Sequence, residues 1–265
     1  MGEAWRLLGF GVYDAYTNMA IDEALLTLRS KGRSPNTIRF YRWKPSAVSI
    51  GYFQILEQEV NMDSCHRRGI DIIRRMTGGG AVYHDYEGEV TYSIIVDQEN
   101  PKIPDDILKS YEVMCKGIVL GLERLGIRAE FKPINDIVAN GRKISGNAQT
   151  RRLGVVVQHG TVLVRTDVKT MFDVLKVSEE KVSDKMIRSV EERVTSIERE
   201  LGRDVGFNEV FEALKHGFSE ALDVKLVEGT LDEAESELMA RLRDGKYMTR
   251  MWNFDRPTAT GVLHP

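Results

Sequence analysis

Apolar residues recur along the chain at helical or alternating spacing, and the order of the two patterns outlines a fold. Ala20, Ile21, Ala24, Leu25 and Leu28 share one face of a helix over residues 18–28. Two short strands follow at 37–43 and 47–53, separated by the turn-forming Lys44-Pro45-Ser46. A third strand, 70–75, runs into three consecutive glycines, and a fourth, 90–96, is rich in β-branched and aromatic residues. Ile107, Tyr111, Met114, Ile118, Leu122 and Leu125 then step by three or four across a helix at 104–125, with Gly126 suited to the position just past its end. Three more strands are predicted at 137–139, 143–148 and 155–164, the first two joined by the hairpin dipeptide Asn140-Gly141. The last third is helical: Phe207, Val210, Phe211, Leu214, Phe218 and Leu222 form one stripe, and Thr230 with Glu233 reads as a capping box for a final helix running toward Lys246. The pattern predicts an α+β protein with mainly antiparallel mixed sheets flanked by helices. Residues 181–203 are densely charged and read first as a solvated helical face, with a partner-facing helix as the alternative.

Composition narrows the class. At 265 residues with 42% hydrophobic and 29% charged side chains, the chain has the profile of an ordinary globular protein. A net charge of -3 gives no general case for nucleic-acid binding. Cys65 and Cys115 are too few for a disulfide framework and lack zinc-site spacing, which points to a reducing cytoplasm. No apolar run is long enough to predict a membrane span, and no signal peptide is expected.

The chemistry concentrates in a few short stretches. In Arg74-Arg75-Met76-Thr77-Gly78-Gly79-Gly80-Ala81-Val82-Tyr83-His84-Asp85, glycines that permit close backbone approach follow two arginines able to fork onto an anion. A tight turn with solvent-facing arginines would explain the same run, and its spacing matches neither a P-loop nor a dinucleotide fingerprint. Lys143-Ile144-Ser145-Gly146-Asn147-Ala148-Gln149 places a compact cation on a strand, followed by small residues that leave room for a ligand. Asn135-Asp136 and Gln158-His159-Gly160-Thr161 add polar groups near apolar strands; each alone reads as a turn or a satisfied core residue.

Taken in order, these stretches resemble the catalytic domain of lipoate–protein ligase A, of the biotin/lipoate protein ligase superfamily. Residues 39–43 and 50–54, Lys246-Tyr247 and Trp252-Asn253 agree with it, so the resemblance spans nearly the whole chain. It implies ATP- and Mg2+-dependent activation of lipoate to lipoyl-AMP, followed by transfer to a lysine of lipoyl domains. The acceptors would be 2-oxoacid dehydrogenase E2 subunits and the glycine cleavage H protein. Lys143 would be catalytic, contacting the acyl carbonyl and the phosphate. Arg75, Gly78, Gly79, Gly80, Val82 and His84 would line the acyl-adenylate pocket, with Gly146, Ala148, His159 and Gly160 as further lining positions. Asn135 and Asp136 would lie near the nucleotide, with Asp136 a magnesium ligand. Tyr41, Val48, Val82 and Tyr83 are candidates for the apolar slot that takes the lipoyl tail.

The resemblance further implies one catalytic domain over 1–256, a flexible end at 257–265, and no C-terminal accessory domain, so that a separate small accessory protein is expected to supply it. The main alternative is an acyl carrier protein-dependent octanoyl or lipoyl transferase. Transferases of this superfamily use a cysteine nucleophile near the lysine strand, whereas 128–142 holds no cysteine and none follows Cys115. A biotin ligase lacks support because its Gly-Arg-Gly-Arg-type loop is absent. A non-catalytic lipoate-binding protein is disfavoured by the intact Lys143 and glycine loop.

Overall fold

The computed structural model describes residues 2–176 and 184–255, with the side chains of 184–187 left out. The strands are β1 (Glu3–Tyr13), β2 (Thr37–Trp43), β3 (Ala47–Ile50), β4 (Asp71–Arg74), β5 (Val82–His84), β6 (Glu89–Asp97), β7 (Ala129–Lys132), β8 (Asp136–Ala139), β9 (Arg142–Arg152), β10 (Val155–Leu163) and β11 (Val224–Gly229). The helices are α1 (Ala15–Arg29), α2 (Leu56–Glu59), α3 (Met62–Arg68), α4 (Ile107–Arg124), α5 (Val168–Val174), α6 (Asp184–Arg193), α7 (Ile197–Leu201), α8 (Phe207–Ala221), α9 (Glu233–Leu242) and α10 (Arg250–Phe254), with a π-helical turn at Arg243–Tyr247.

Eight strands form one mixed sheet in the order β11-β1-β2-β6-β10-β9-β8-β7, and three form a small second sheet, β4-β3-β5. In the large sheet β1 runs parallel to both β2 and β11, and the other pairings are antiparallel. The α+β class with mainly antiparallel sheets is the observed one.

Strand alternation divides the large sheet into two chemically different faces. Ile38, Phe40, Tyr92, Ile94 and Val156 point to one face, where Met114, Ile118 and Leu122 of α4 and Val210, Leu214 and Phe218 of α8 cover them in the main core. Each such side chain contributes about 1.5–3 kcal/mol by leaving water. The opposite face carries Arg39, Tyr41, Thr91, Ser93, His159 and Thr161, interleaved with the apolar set, and α1 packs over part of it through Ile21 and Leu25. The small sheet stands beside this polar face. No helix among the described residues is long and apolar enough to cross a membrane.

Several elements depart from the sequence expectations. The strands predicted at 37–43 and 47–53 fall in different sheets, as β2 and β3, and the Lys44-Pro45-Ser46 turn is the corner between them. Strand β3 ends at Ile50, because Gly51 and Gln54 close a turn there. The capping box of α9 is Asp232 with Glu235 rather than Thr230 with Glu233. Asp232 accepts from the Glu235 N–H and Glu235 from the Asp232 N–H, an exchange that requires the three-residue offset to start at the true N-cap. Strands β1, β5, β7 and β11, with weak or short alternation, lie outside the predicted strands. The 181–203 stretch divides into α6 and α7, with 181–183 outside the described residues. The end predicted to be flexible, 257–265, also lies outside them.

Candidate active site

The polar face of the large sheet and the edge of the small one enclose a cavity of about 360 Å³. Cross-strand pairing builds its floor. Tyr41 lies opposite Thr91, Thr91 opposite Thr161 and Thr161 opposite Gly146, while Ser93, His159 and Ala148 form the next row. Tyr41, Trp43, Val82, Tyr83, Leu163 and Met171 supply apolar lining, and Lys143 stands at the edge with a side chain 44% exposed. An apolar slot with a cation at its rim suits an acyl chain whose carbonyl ends at the cation.

Lys143 owes its position to two local features. The β8–β9 register shifts between Ile137, paired with Ser145, and Val138, paired with Lys143, and a shift of this kind re-aims the side chains around it. The Lys143 carbonyl also accepts from the Thr195 N–H at 2.8 Å, tying the strand to the segment between α6 and α7. The Lys143 ammonium lies 2.6 Å from Asp136 Oδ1. That contact bears on the expected magnesium role, because an ammonium occupies the side of Asp136 that a cation would take. Among the described residues no group of three or more His, Cys, Asp or Glu side chains could hold a metal.

The two arginines ahead of the glycines serve the scaffold. Arg74 is fully buried and donates to the carbonyls of Gly51, Tyr52, Gln54, Trp252 and Asn253. Arg75 donates to the carbonyls of Ser49, Gly78 and Gly80 and to the Ser49 and Thr77 hydroxyls. Five contacts match the five N–H groups of a guanidinium, so Arg75 shapes the loop rather than forking onto an anion. Burial pushes its pKa down to about 10. Gly79 adopts φ +99°, and a Cβ there would come within 2.8 Å of Arg75 Nη2.

Of the remaining expected residues, Gly79, Gly80, Val82, His84, Asn135, Gly146, Ala148, His159 and Gly160 line the cavity with Arg75 and Lys143. Gly78 does not line it and contributes its carbonyl to Arg75. Asp136 reaches it through Lys143. Val48 also lies outside the lining, because alternation along β3 turns it into the core beside Ile50, Leu56 and Val60. Gly160 has a packing role: a Cβ there would sit 2.0 Å from Asn147 Oδ1, which accepts from the Tyr92 hydroxyl at 2.7 Å.

Two buried polar chains lie against the cavity. In the first, His159 Nε2 meets Thr77 Oγ1 at 2.7 Å, and His159 Nδ1 lies 3.5 Å from Asp22, which also holds Arg39 and Ser93. Burial lowers the His159 pKa against the pull of Asp22. Burial opposes ionisation of Asp22, but Arg39 and His159 outweigh it and its pKa falls. In the second, His84 stacks on Trp43 with centroids 4.1 Å apart, Nδ1 meets Glu89 at 2.7 Å and Nε2 meets Ser49 at 2.8 Å. Ser49 and Glu89 were not singled out from the sequence. The available signals were a lone serine in the apolar run Ala47–Ile50 and a glutamate opening a strand of apolar residues.

Both cysteines are remote from this chemistry. Cys65 packs with Val48, Ile50 and Leu56, and Cys115 lies in the main core against Gln158. Neither lines the cavity, and burial pushes their pKa values up to about 11 and about 12.

Residues 14–219 match the family model for the lipoyl protein ligase A/B catalytic domain. The chain belongs to this family. Octanoyltransferase LipM of Brevibacillus brevis is 35% identical over 277 residues, covering 96% of this chain and all of that protein. Octanoyltransferase LipM of Kyrpidia tusciae is 38% identical over 274 residues, covering 95% of this chain and 99% of that one. Among solved structures, a bi-partite lipoate protein ligase from Thermoplasma acidophilum, studied with its E2 lipoyl domain, superposes with a TM-score of 0.86 at 35% identity, covering 98% of this chain and all of that one.

These comparisons confirm an enzyme of the lipoylation family and its fold. They overturn the expectation of an ATP-dependent, AMP-forming lipoate ligase, because relatives matched along nearly their whole length are octanoyltransferases. The expectations of ATP, magnesium and a separate accessory protein came with the ligase reading and lose their ground with it.

Proposed function

We propose that this protein is an octanoyltransferase that moves an octanoyl group from an acyl carrier protein thioester to a lysine of a lipoyl-domain protein. The observation that carries the reading is the apolar cavity with Lys143 at its rim, in a chain whose relatives are octanoyltransferases along nearly their whole length. The slot binds the alkyl tail by burying it. It leaves the carbonyl near Lys143, where an ammonium stabilises the oxyanion that forms as the carbonyl carbon is attacked. Asp136 holds the ammonium in place from 2.6 Å. Gly79, Gly80, Gly146, Ala148 and Gly160 leave room for the tail, and Val82 and Asn135 line the same cavity.

The test is a transfer assay with octanoyl–acyl carrier protein and a purified lipoyl domain, without ATP. Octanoylation of the acceptor lysine, read by intact mass, is the expected result. Acceptor modification that occurs only with free fatty acid and ATP, with release of AMP, would overturn the proposal.

A further inference from the structure

Acyl transfer through a covalent enzyme intermediate needs a nucleophile in the cavity, and neither cysteine is there. The cavity wall does carry a serine in a recognisable chain of hydrogen bonds. Ser49 Oγ lies 2.8 Å from His84 Nε2, and His84 Nδ1 lies 2.7 Å from Glu89 Oε1. A carboxylate only accepts, so Nδ1 carries the hydrogen; in the neutral ring Nε2 is then the acceptor facing the Ser49 hydroxyl. Glu89 is held in turn by the Thr91 hydroxyl at 2.8 Å, and Thr91 by the indole N–H of Trp43 at 2.8 Å, the ring on which His84 stacks. Arg75 Nη1 donates to Ser49 Oγ at 3.1 Å, which favours negative charge on that oxygen. Ser49, His84 and Glu89 all line the cavity that also holds Lys143.

We infer that Ser49 is the acyl-accepting nucleophile of this enzyme, with His84 as its general base and Glu89 orienting His84. The arrangement is that of a serine–histidine–carboxylate triad, recognised by geometry and roles rather than by sequence order. A second constellation, Thr77–His159–Asp22, shows why position decides. Unlike Ser49, Thr77 does not line the cavity, and its histidine stands 3.5 Å from the carboxylate, so it is a structural brace.

In the first half-reaction Ser49 Oγ attacks the thioester carbonyl carbon and His84 Nε2 takes the hydroxyl proton. A C–O bond forms, the C–S bond breaks, and the carrier's thiol leaves with the proton from His84. In the second, the acceptor lysine's neutral amine attacks the Ser49 ester. The amide C–N bond forms, the ester C–O bond breaks, and the amine's surplus proton passes through His84 to Ser49 Oγ. No oxidant, reductant or nucleotide enters the balance.

This inference rests on the octanoyltransferase reading, and one experiment separates the two. The full chain is incubated with octanoyl–acyl carrier protein, first without acceptor and then with a lipoyl domain. An octanoyl mass adduct mapped to the peptide containing Ser49, and discharged when the lipoyl domain is added, is the expected result. Ser49→Ala is expected to lose the adduct and about 10³-fold or more of the transfer rate, while Ser49→Cys recovers an adduct at the same position. Wild-type transfer without an adduct at Ser49, or Ser49→Ala transferring at the wild-type rate, overturns the nucleophile and leaves the transferase reading standing. No transfer from octanoyl–acyl carrier protein by the wild type overturns both. Because the adduct is mapped on the unmodified enzyme, the outcome does not depend on how well either variant folds.

Discussion

Arg75 Nη2 donates to the Gly80 carbonyl at 2.7 Å, closing the glycine loop onto the arginine that precedes it. The same guanidinium reaches the carbonyls of Gly78 and Ser49, so one buried side chain ties the glycine loop to β3. Arg75→Lys keeps the charge but cannot span these acceptors. Leaving several buried oxygens unpaired is expected to cost about 3 kcal/mol or more of stability. Urea unfolding measures it, and a midpoint equal to the wild type would contradict the bracing role.

Lys143→Ala separates catalysis from folding. Its side chain is nearly half exposed, so removal is expected to change stability by no more than about 0.5 kcal/mol. Loss of the oxyanion-stabilising charge is expected to slow octanoyl transfer by about 10²–10³-fold. Steady-state transfer assays and thermal unfolding on the same preparation decide the matter; an unchanged rate would remove Lys143 from the chemistry.

Gly79→Val tests the loop's backbone. A β-branched residue at φ +99° is expected to cost about 1–3 kcal/mol, and its Cβ would press on Arg75 Nη2. Either the loop shifts or Arg75 does, and displacement of the cavity wall by about 1 Å is expected to lower transfer by about 10²-fold. Wild-type kinetics in this variant would show that the loop does not form the working wall.

His159 gives the fold a signed pH dependence. Its folded pKa is depressed by burial, so below its unfolded value of about 6.5 the unfolded chain binds the extra proton first. Stability is therefore fully present above that pH and declines as the pH falls through the window below it. Asp22, whose folded pKa is lowered despite its burial, adds a loss of the same sign at more acidic pH. In His159→Gln the decline just below pH 6.5 is expected to flatten. Denaturation midpoints across that range that run parallel to the wild type would contradict it.

Much of the fold was legible because its signals are local. The stripe Phe207–Leu222, the steps through Met114 and Leu122, and the Asn140-Gly141 hairpin are written in nearest-neighbour periodicity. Strands β1 and β11 were not legible. Their parallel pairing joins segments about two hundred residues apart, and neither end shows a clean alternation. Arg74 and Arg75 were misread for a related reason. An arginine's type announces anion binding, but its partners here are backbone carbonyls supplied by distant turns and by Trp252 and Asn253. The transferase was discounted on cysteine spacing, a criterion that cannot see which other hydroxyl or thiol the fold brings to the cavity.

The sequence by itself determined the α+β class, the helical faces that become core, and the short motifs that converge on one site, because periodicity and turn chemistry act over a few residues. Only the tertiary structure decided that Ser49, His84 and Glu89 form one hydrogen-bonded line, that Asp136 holds Lys143, and that both cysteines lie in apolar packing away from the cavity. These relationships depend on strand register between two sheets, and register is set by long-range packing that no local pattern encodes.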